Sequence, residues 1–184
     1  MDVEKAVTLL GESGVALAQG LSDEEVAGVE RTFGFRFPPD LRALLQFALP
    51  VSPRFPNWRD DPEESLRERL AWPAGSAAFD IEQNAFWLDE WGPRPEDLRA
   101  AIEIAEREIA KAPKLIPIYG HRFIPEEPHV AGNPVFSVWQ LTDTIYYGTD
   151  LANYLENEFS GREHHFPNYE GIRRIRFWSR LVEL

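Results

Sequence analysis

The spacing of apolar residues changes period near Pro113, and that change narrows the folds open to this chain. Ahead of it the spacing is helical. Val3, Ala6, Val7 and Leu10, then Val26, Val29 and Phe33, then Leu41, Leu44, Leu45 and Ala48 each recur at three- and four-residue steps. The stretch "PEDLRAAIEIAEREIAKAP" is the clearest helix. It starts near Pro95, places Leu98, Ile102, Ala105 and Ile109 at helical spacing, and must stop before Pro113. Beyond that point "KLIPIYG", "HRFIP", "PVFSVWQ" and "TIYYG" are short, rich in β-branched and aromatic residues, and bounded by Gly, Pro or Asn, which predicts strands. "QLTD" joins the last two as a hairpin turn. "TDLANYLENEF" returns to helix, with Thr149 or Asp150 as its cap and Leu151, Tyr154, Leu155 and Phe159 as its apolar face. Helices first, a meandering sheet next and a closing helix last predict an α+β fold, with N-terminal helices packed on a mainly antiparallel sheet. A length of 184 residues suits one domain, because neither half alone would hold a balanced core.

The helix boundaries are marked in the opening third. Residues 2–19 read as helix broken near Gly11 and Gly14. Ser22 followed by Glu25 is a capping box, Leu21 and Val26 form a hydrophobic staple around it, and Gly34 ends that helix. "FPPDLRALLQFAL" opens on prolines suited to a first turn. Residues 50–62 are proline-rich and read as an irregular loop, followed by a short helix over Glu63–Leu70. Residues 72–93 are rich in Trp and Phe, which predicts burial, but neither period wins there. The tail offers Phe177, Trp178, Leu181 and Val182 to pack back on the body.

Composition excludes several kinds of chemistry. There is no cysteine, so disulfides, thiolate zinc sites and cysteine nucleophiles are absent. No run of eighteen apolar residues exists, and the start "MDVEKAVTLLGESG" lacks the basic opening and apolar core of a secretion signal, so a soluble, cytoplasmic protein is expected. Net charge is −12. Such a field repels nucleic acid and anionic membrane, so neither is an expected partner, and it speeds association with basic proteins.

Motifs for catalysis are sparse. "HRFIPEEPHVAGNP" gathers His121, Glu126, Glu127 and His129, but Pro125 and Pro128 forbid the helix on which a zinc protease sets two histidines four apart. A zinc site there needs His121 and His129 to meet across a hairpin, joined by Glu126 or His164. The expected alternative is a sheet edge with a polar turn, where His121 caps a strand and the glutamates face water. His164 and His165 read as a solvated loop. There is no G-x-S-x-G, no phosphate-binding glycine loop and no dinucleotide fingerprint. In "RDDPEESLRERL", Asp60, Asp61, Glu63 and Glu64 favour the positive end of a helix and also offer carboxylates to arginines of a partner. In "FWLDEWG", Trp87, Asp89, Glu90 and Trp91 place tryptophan beside acid, a pairing that suits a protein interface.

The order of these parts resembles the SUKH superfamily. "GLSDEEVAGVERTFGFRFPPDLRALLQFAL" is similar to its opening, carried by Leu21, Ser22, Glu25, Val26, Phe33, Gly34, Phe37, Pro38, Leu41, Leu44 and Leu45. "LIPIYGHRFIP", "GNPVFSV" and "DTIYYGTDLANYLENEF" resemble the strand series and closing helix, with Gly132, Asn133, Pro134 and Val135 at the family's strand entry. "FWSRLVEL" resembles the tail of bacterial members. The resemblance covers residues 20–50 and 114–184 and departs over 51–113, an enlarged middle region. "HRFIPEEPHVA" also stands where the family has a glycine-rich acidic loop. The resemblance implies a noncatalytic, cofactor-free protein-binding domain. Many bacterial members are immunity proteins that neutralise a cognate toxin, often a nuclease, while relatives of the yeast cell-wall-synthesis regulator act in envelope and signalling control. The expectation is a protein that covers a basic toxin domain with an acidic, aromatic-edged face. Asp60, Asp61, Glu63, Glu64, Trp87, Asp89, Glu90 and Trp91 are its candidate contacts, since they lie in the divergent middle. A housekeeping adaptor or cell-envelope regulator is the alternative, and a metal-dependent hydrolase built on His121, Glu126 and His129 stands third. The sequence leaves the oligomeric state open.

Overall fold

The architecture follows from strands that are apolar on both sides. The computed structural model describes residues 1–161 and 170–184. In it β3 (Leu115–Tyr119), β4 (Arg122–Pro125), β5 (Val135–Val138) and β6 (Thr144–Gly148) form an antiparallel meander in chain order. Successive side chains of a strand point to opposite faces. Ile116, Ile118, Ile124 and Val135 face one core, while Leu115, Phe123, Phe136, Val138 and Tyr146 face another. Both faces are covered by helices, so the strands lack the polar alternation of a half-exposed sheet. The fold is α+β, as the sequence predicts, and the sheet lies between two helical layers.

The first layer holds α1 (Val3–Glu12), α2 (Asp23–Phe33), α3 (Pro39–Phe47) and α6 (Leu151–Phe159). Its caps are those read from the sequence. The Ser22 hydroxyl accepts from Glu25 N at 3.2 Å and the Glu25 carboxylate accepts from Ser22 N at 2.7 Å. Gly34 ends α2 in the left-handed region at φ 65°. Asp150, not Thr149, caps α6 by accepting from Asn153 N at 2.8 Å.

One expectation for this layer is corrected. Residues 2–19 are not all helical: α1 stops at Glu12, and β1 (Leu17–Gln19) pairs antiparallel with β2 (Ala48–Pro50). Gly20 then passes so close to the end of α3 that a Cβ would overlap the Gln46 carbonyl, which is why glycine stands there. The loop at 50–62 is irregular but not loose. Its Phe55 and Trp58 are buried, and Trp58 meets Phe33, Phe35 and Phe37 edge-on at centroid distances of 6.0, 5.7 and 5.2 Å.

The second layer holds the C-terminal half of α4 (Glu63–Gln83), α5 (Leu98–Ile109) and α7 (Trp178–Leu181), while the first turns of α4 pack Leu66 and Leu70 into the first core. The helix expected over Glu63–Leu70 instead runs through Pro73 to Gln83 and takes up half of the unassigned segment. Its apolar period is blurred for a physical reason. Leu66, Ala77 and Ile81 point inward, but so does Asp80, while Trp72 and Phe79 point outward. Asp80 is fully buried and fully bonded. It accepts from the Thr142 hydroxyl at 2.7 Å, from Thr142 N at 3.2 Å and from the Asn84 amide at 2.5 Å. These bonds dock the 3₁₀ turn Leu141–Asp143 that joins β5 and β6 onto α4. In α5 the buried stripe is Ala101, Ala105 and Ile109; Leu98 is exposed and Ile102 only partly covered. The small alanines permit close approach of α4. The tail packs back as expected, with Trp178 Nε1 donating to Pro113 O at 2.7 Å.

Candidate partner-binding surface

The eight candidate contacts fall into two groups separated by α4. Asp60, Asp61, Glu63 and Glu64 surround its first turn, and Trp87, Asp89, Glu90 and Trp91 follow its last. A helix of that length spans about 30 Å, so no single patch contains both groups. The acids of the first group are largely occupied within the molecule. Asp61 accepts from Asn57 N at 2.9 Å, Asp60 from the Asn57 amide at 3.3 Å, and Glu63 pairs with Arg67 at 2.5 Å. In the second group Glu90 pairs with Arg180, and the indoles are half-buried. Trp87 Nε1 donates to Gly92 O at 2.7 Å and its ring meets Trp91 edge-on at 5.2 Å. Trp91 in turn stacks on Phe177. These two tryptophans join the 3₁₀ turn Asp89–Trp91 to the C-terminal tail; they do not stand out from the surface.

The histidine-rich loop is built as a structural corner. Asn133 is fully buried and its amide donates to Pro125 O at 3.1 Å and Pro128 O at 2.9 Å, while Arg173 donates to its side-chain oxygen at 2.8 Å. Gly132 N donates to the buried Asp40 at 2.9 Å, which ties the loop to α3. The expectation that both glutamates face water is corrected for Glu126, which accepts from Arg36 N at 3.2 Å. His121 and Glu126 flank β4 at its two ends, about 16 Å apart along a strand. Among the described residues no group of three or more His, Asp or Glu side chains is placed to hold a metal ion. His164 and His165 lie outside the described residues.

Among the described residues the aromatic side chains that do stand out are Phe47, alone at the end of α3 and 53% exposed, and Trp72, Phe79 and Trp139, which are 44%, 50% and 52% exposed. Trp72 and Phe79 sit seven residues apart on α4, two turns along one side. Trp72 and Trp139 touch, with ring centroids 5.6 Å apart, and His121 meets the Trp139 ring edge-on at 5.3 Å. The arrangement is held through both backbone groups of one residue. Val138 N donates to His121 O at 3.0 Å, and Val138 O accepts from Trp72 Nε1 at 3.1 Å. Trp139 is therefore presented from backbone fixed by its two ring neighbours. Burial, then the nearby Arg122 and Arg54 charges, push the His121 imidazole below its ordinary range, against a smaller opposing pull from Asp143. Both effects favour the neutral form of the ring. Nothing in the sequence marks this face: the Trp- and Phe-rich segment 72–93 predicts burial, which Trp72 and Phe79 overturn, and Trp139 follows a strand whose every residue is buried.

A groove of about 1110 Å³ runs along α1 and α6, lined by Leu9, Phe55, Tyr119, Glu158 and Phe159 among others. Arg122, buried in β4, lies 3.6 Å over the Tyr147 ring, donates to Ser137 Oγ at 3.0 Å and faces Glu158 at 3.8 Å. The two charges face each other across the α6–sheet contact, but Arg122 Nε and Glu158 Oε2 make no hydrogen bond there. Among the described residues no helix is long and apolar enough to cross a membrane. No family model, no curated protein and no solved structure matches the chain.

Proposed function

We propose that this chain is a noncatalytic, cytoplasmic protein-binding domain of the immunity type, which neutralises a toxin by covering its active cleft. The observation that carries the binding reading is the Trp72–Trp139 pair, two exposed indoles in contact and fixed through Val138. Tryptophan is the residue most enriched among those that dominate interface energy. Indoles already fixed lose little freedom on binding, so more of their contact energy appears as affinity. The net charge of −12 supports a basic partner, and a nuclease that grips nucleic acid presents such a surface. On this reading Asp60, Asp61, Glu63 and Glu64 steer the approach from a distance, since three of the four are engaged inside the molecule. The immunity role itself rests on the SUKH resemblance.

The test is affinity capture from the native host with the wild-type chain and with the Trp72→Ala, Trp139→Ala double variant. A toxin-bearing protein held by the first and lost from the second supports the proposal. A partner with no toxic activity moves the protein to the adaptor class, and equal retention on both removes this face from the interface.

A further inference from the structure

Resting on the protein-binding reading above, we infer that the Trp72–Trp139 face receives an arginine-bearing basic surface of the partner, with a guanidinium laid on the exposed indoles. The chain itself shows the pairing. Arg54, Arg67 and Arg122 lie over the rings of Tyr119, Phe33 and Tyr147 at 4.3, 5.2 and 3.6 Å. Trp72 and Trp139 have no such cation over them among the described residues, although tryptophan offers the strongest ring for it. The nearby cations are committed elsewhere: Arg54 to Tyr119, Arg122 to Tyr147 and Ser137, and Arg69 to Arg54 O at 3.1 Å.

The margin of the face is acidic and exposed. Glu68 lies one turn before Trp72 on α4, Glu82 three residues after Phe79, and Asp143 closes the β5–β6 turn close enough to His121 for its charge to be felt there. A flat guanidinium can lie on an indole while its edge N–H groups reach a carboxylate. A lysine ammonium is more strongly hydrated and gains less from the same ring. The face thus discriminates between two cations of equal charge.

Octa-arginine and octa-lysine, matched in charge and length, are the probes. Their binding to the full chain is measured by calorimetry at physiological ionic strength, for wild type, Trp139→Phe, Trp139→Ala and the double alanine variant, each first shown to keep the wild-type circular dichroism and thermal midpoint. The expected result is a preference for octa-arginine of about threefold or more. Trp139→Phe keeps most of it and the double alanine variant abolishes it. Equal binding of the two peptides, a preference that survives in the double alanine variant, or no measurable binding of either overturns the inference. If a partner is still captured through the two tryptophans while the peptides bind equally, the protein-binding reading stands and the arginine assignment alone fails.

Discussion

The two helical layers use the same aromatic residues to opposite ends. On one side of the sheet Trp58 is 4% exposed and locked among Phe33, Phe35 and Phe37. On the other, Trp72 and Trp139 remain about half exposed although each has a ring neighbour and a fixed backbone. What differs is the surrounding volume. The loop at 50–62 folds Trp58 under a closed aromatic box, whereas α4 buries Leu66, Ala77, Ile81 and a satisfied Asp80 and leaves its rings outside. Burying a tryptophan consumes core volume for stability; leaving two in contact outside preserves area for a partner. Among the tryptophans, the one in the first layer is built to hold and the pair on the second is placed to present.

The largest effect that sharpens this contrast is expected at Trp58. Trp58→Ala should cost about 3–5 kcal/mol in urea unfolding, while Trp72→Ala and Trp139→Ala should each stay within about 1 kcal/mol of wild type. Similar losses at all three would erase the distinction. Next comes Asp80→Ala, which leaves the Thr142 hydroxyl, the Thr142 N–H and the Asn84 amide without their acceptor. A loss of about 2–3 kcal/mol is expected by the same measurement, and a loss below about 0.5 would mean that the 3₁₀ turn docks by packing alone. Ser22→Ala should remove about 1 kcal/mol by uncapping α2, read as a lower urea midpoint with unchanged slope.

The smallest expected effect is the pH dependence contributed by Glu25 in the first layer. The hydrogen bonds from Arg59, then the Ser22 backbone N–H, hold the Glu25 carboxyl down to about 2. A depressed folded value means that this contribution is present above the ordinary carboxylate pKa of about 4.5 and fades as pH falls from there toward about 2. Glu25→Gln should therefore flatten the acid limb of the thermal midpoint across that window. An unchanged acid limb would show that the exposed Arg59 pair is screened to nothing.

The sequence showed the first layer more clearly than the second. The Ser22–Glu25 box, the Gly34 stop and the strand bounds at Pro113, Gly120 and Gly148 all act locally, so they read directly from neighbours in the chain. The pairing of Leu17–Gln19 with Ala48–Pro50 did not, because each strand is three residues long and its partner is thirty residues away. Nor did α4, whose buried Asp80 and outward Trp72 invert the usual pattern, with a proline between them. The site fared worse for the same reason. Trp87 and Trp91 sit beside acids in "FWLDEWG" and look like an interface, yet Trp87 turns back to Gly92 O within the motif and Trp91 stacks on Phe177 of the tail. The exposure of Trp139 is decided by where β5 ends against His121 and Trp72, which only the fold brings together.

The most direct test of the account is the affinity of the captured partner for wild type and for Trp72→Ala, Trp139→Ala, measured in solution on proteins of equal stability. If the exposed pair is the centre of the interface, the double variant should bind about 30-fold or more weakly, the scale of a dominant interface residue. A change of less than about twofold would mean that the partner docks elsewhere on the molecule, and the division of labour between the two layers would not hold.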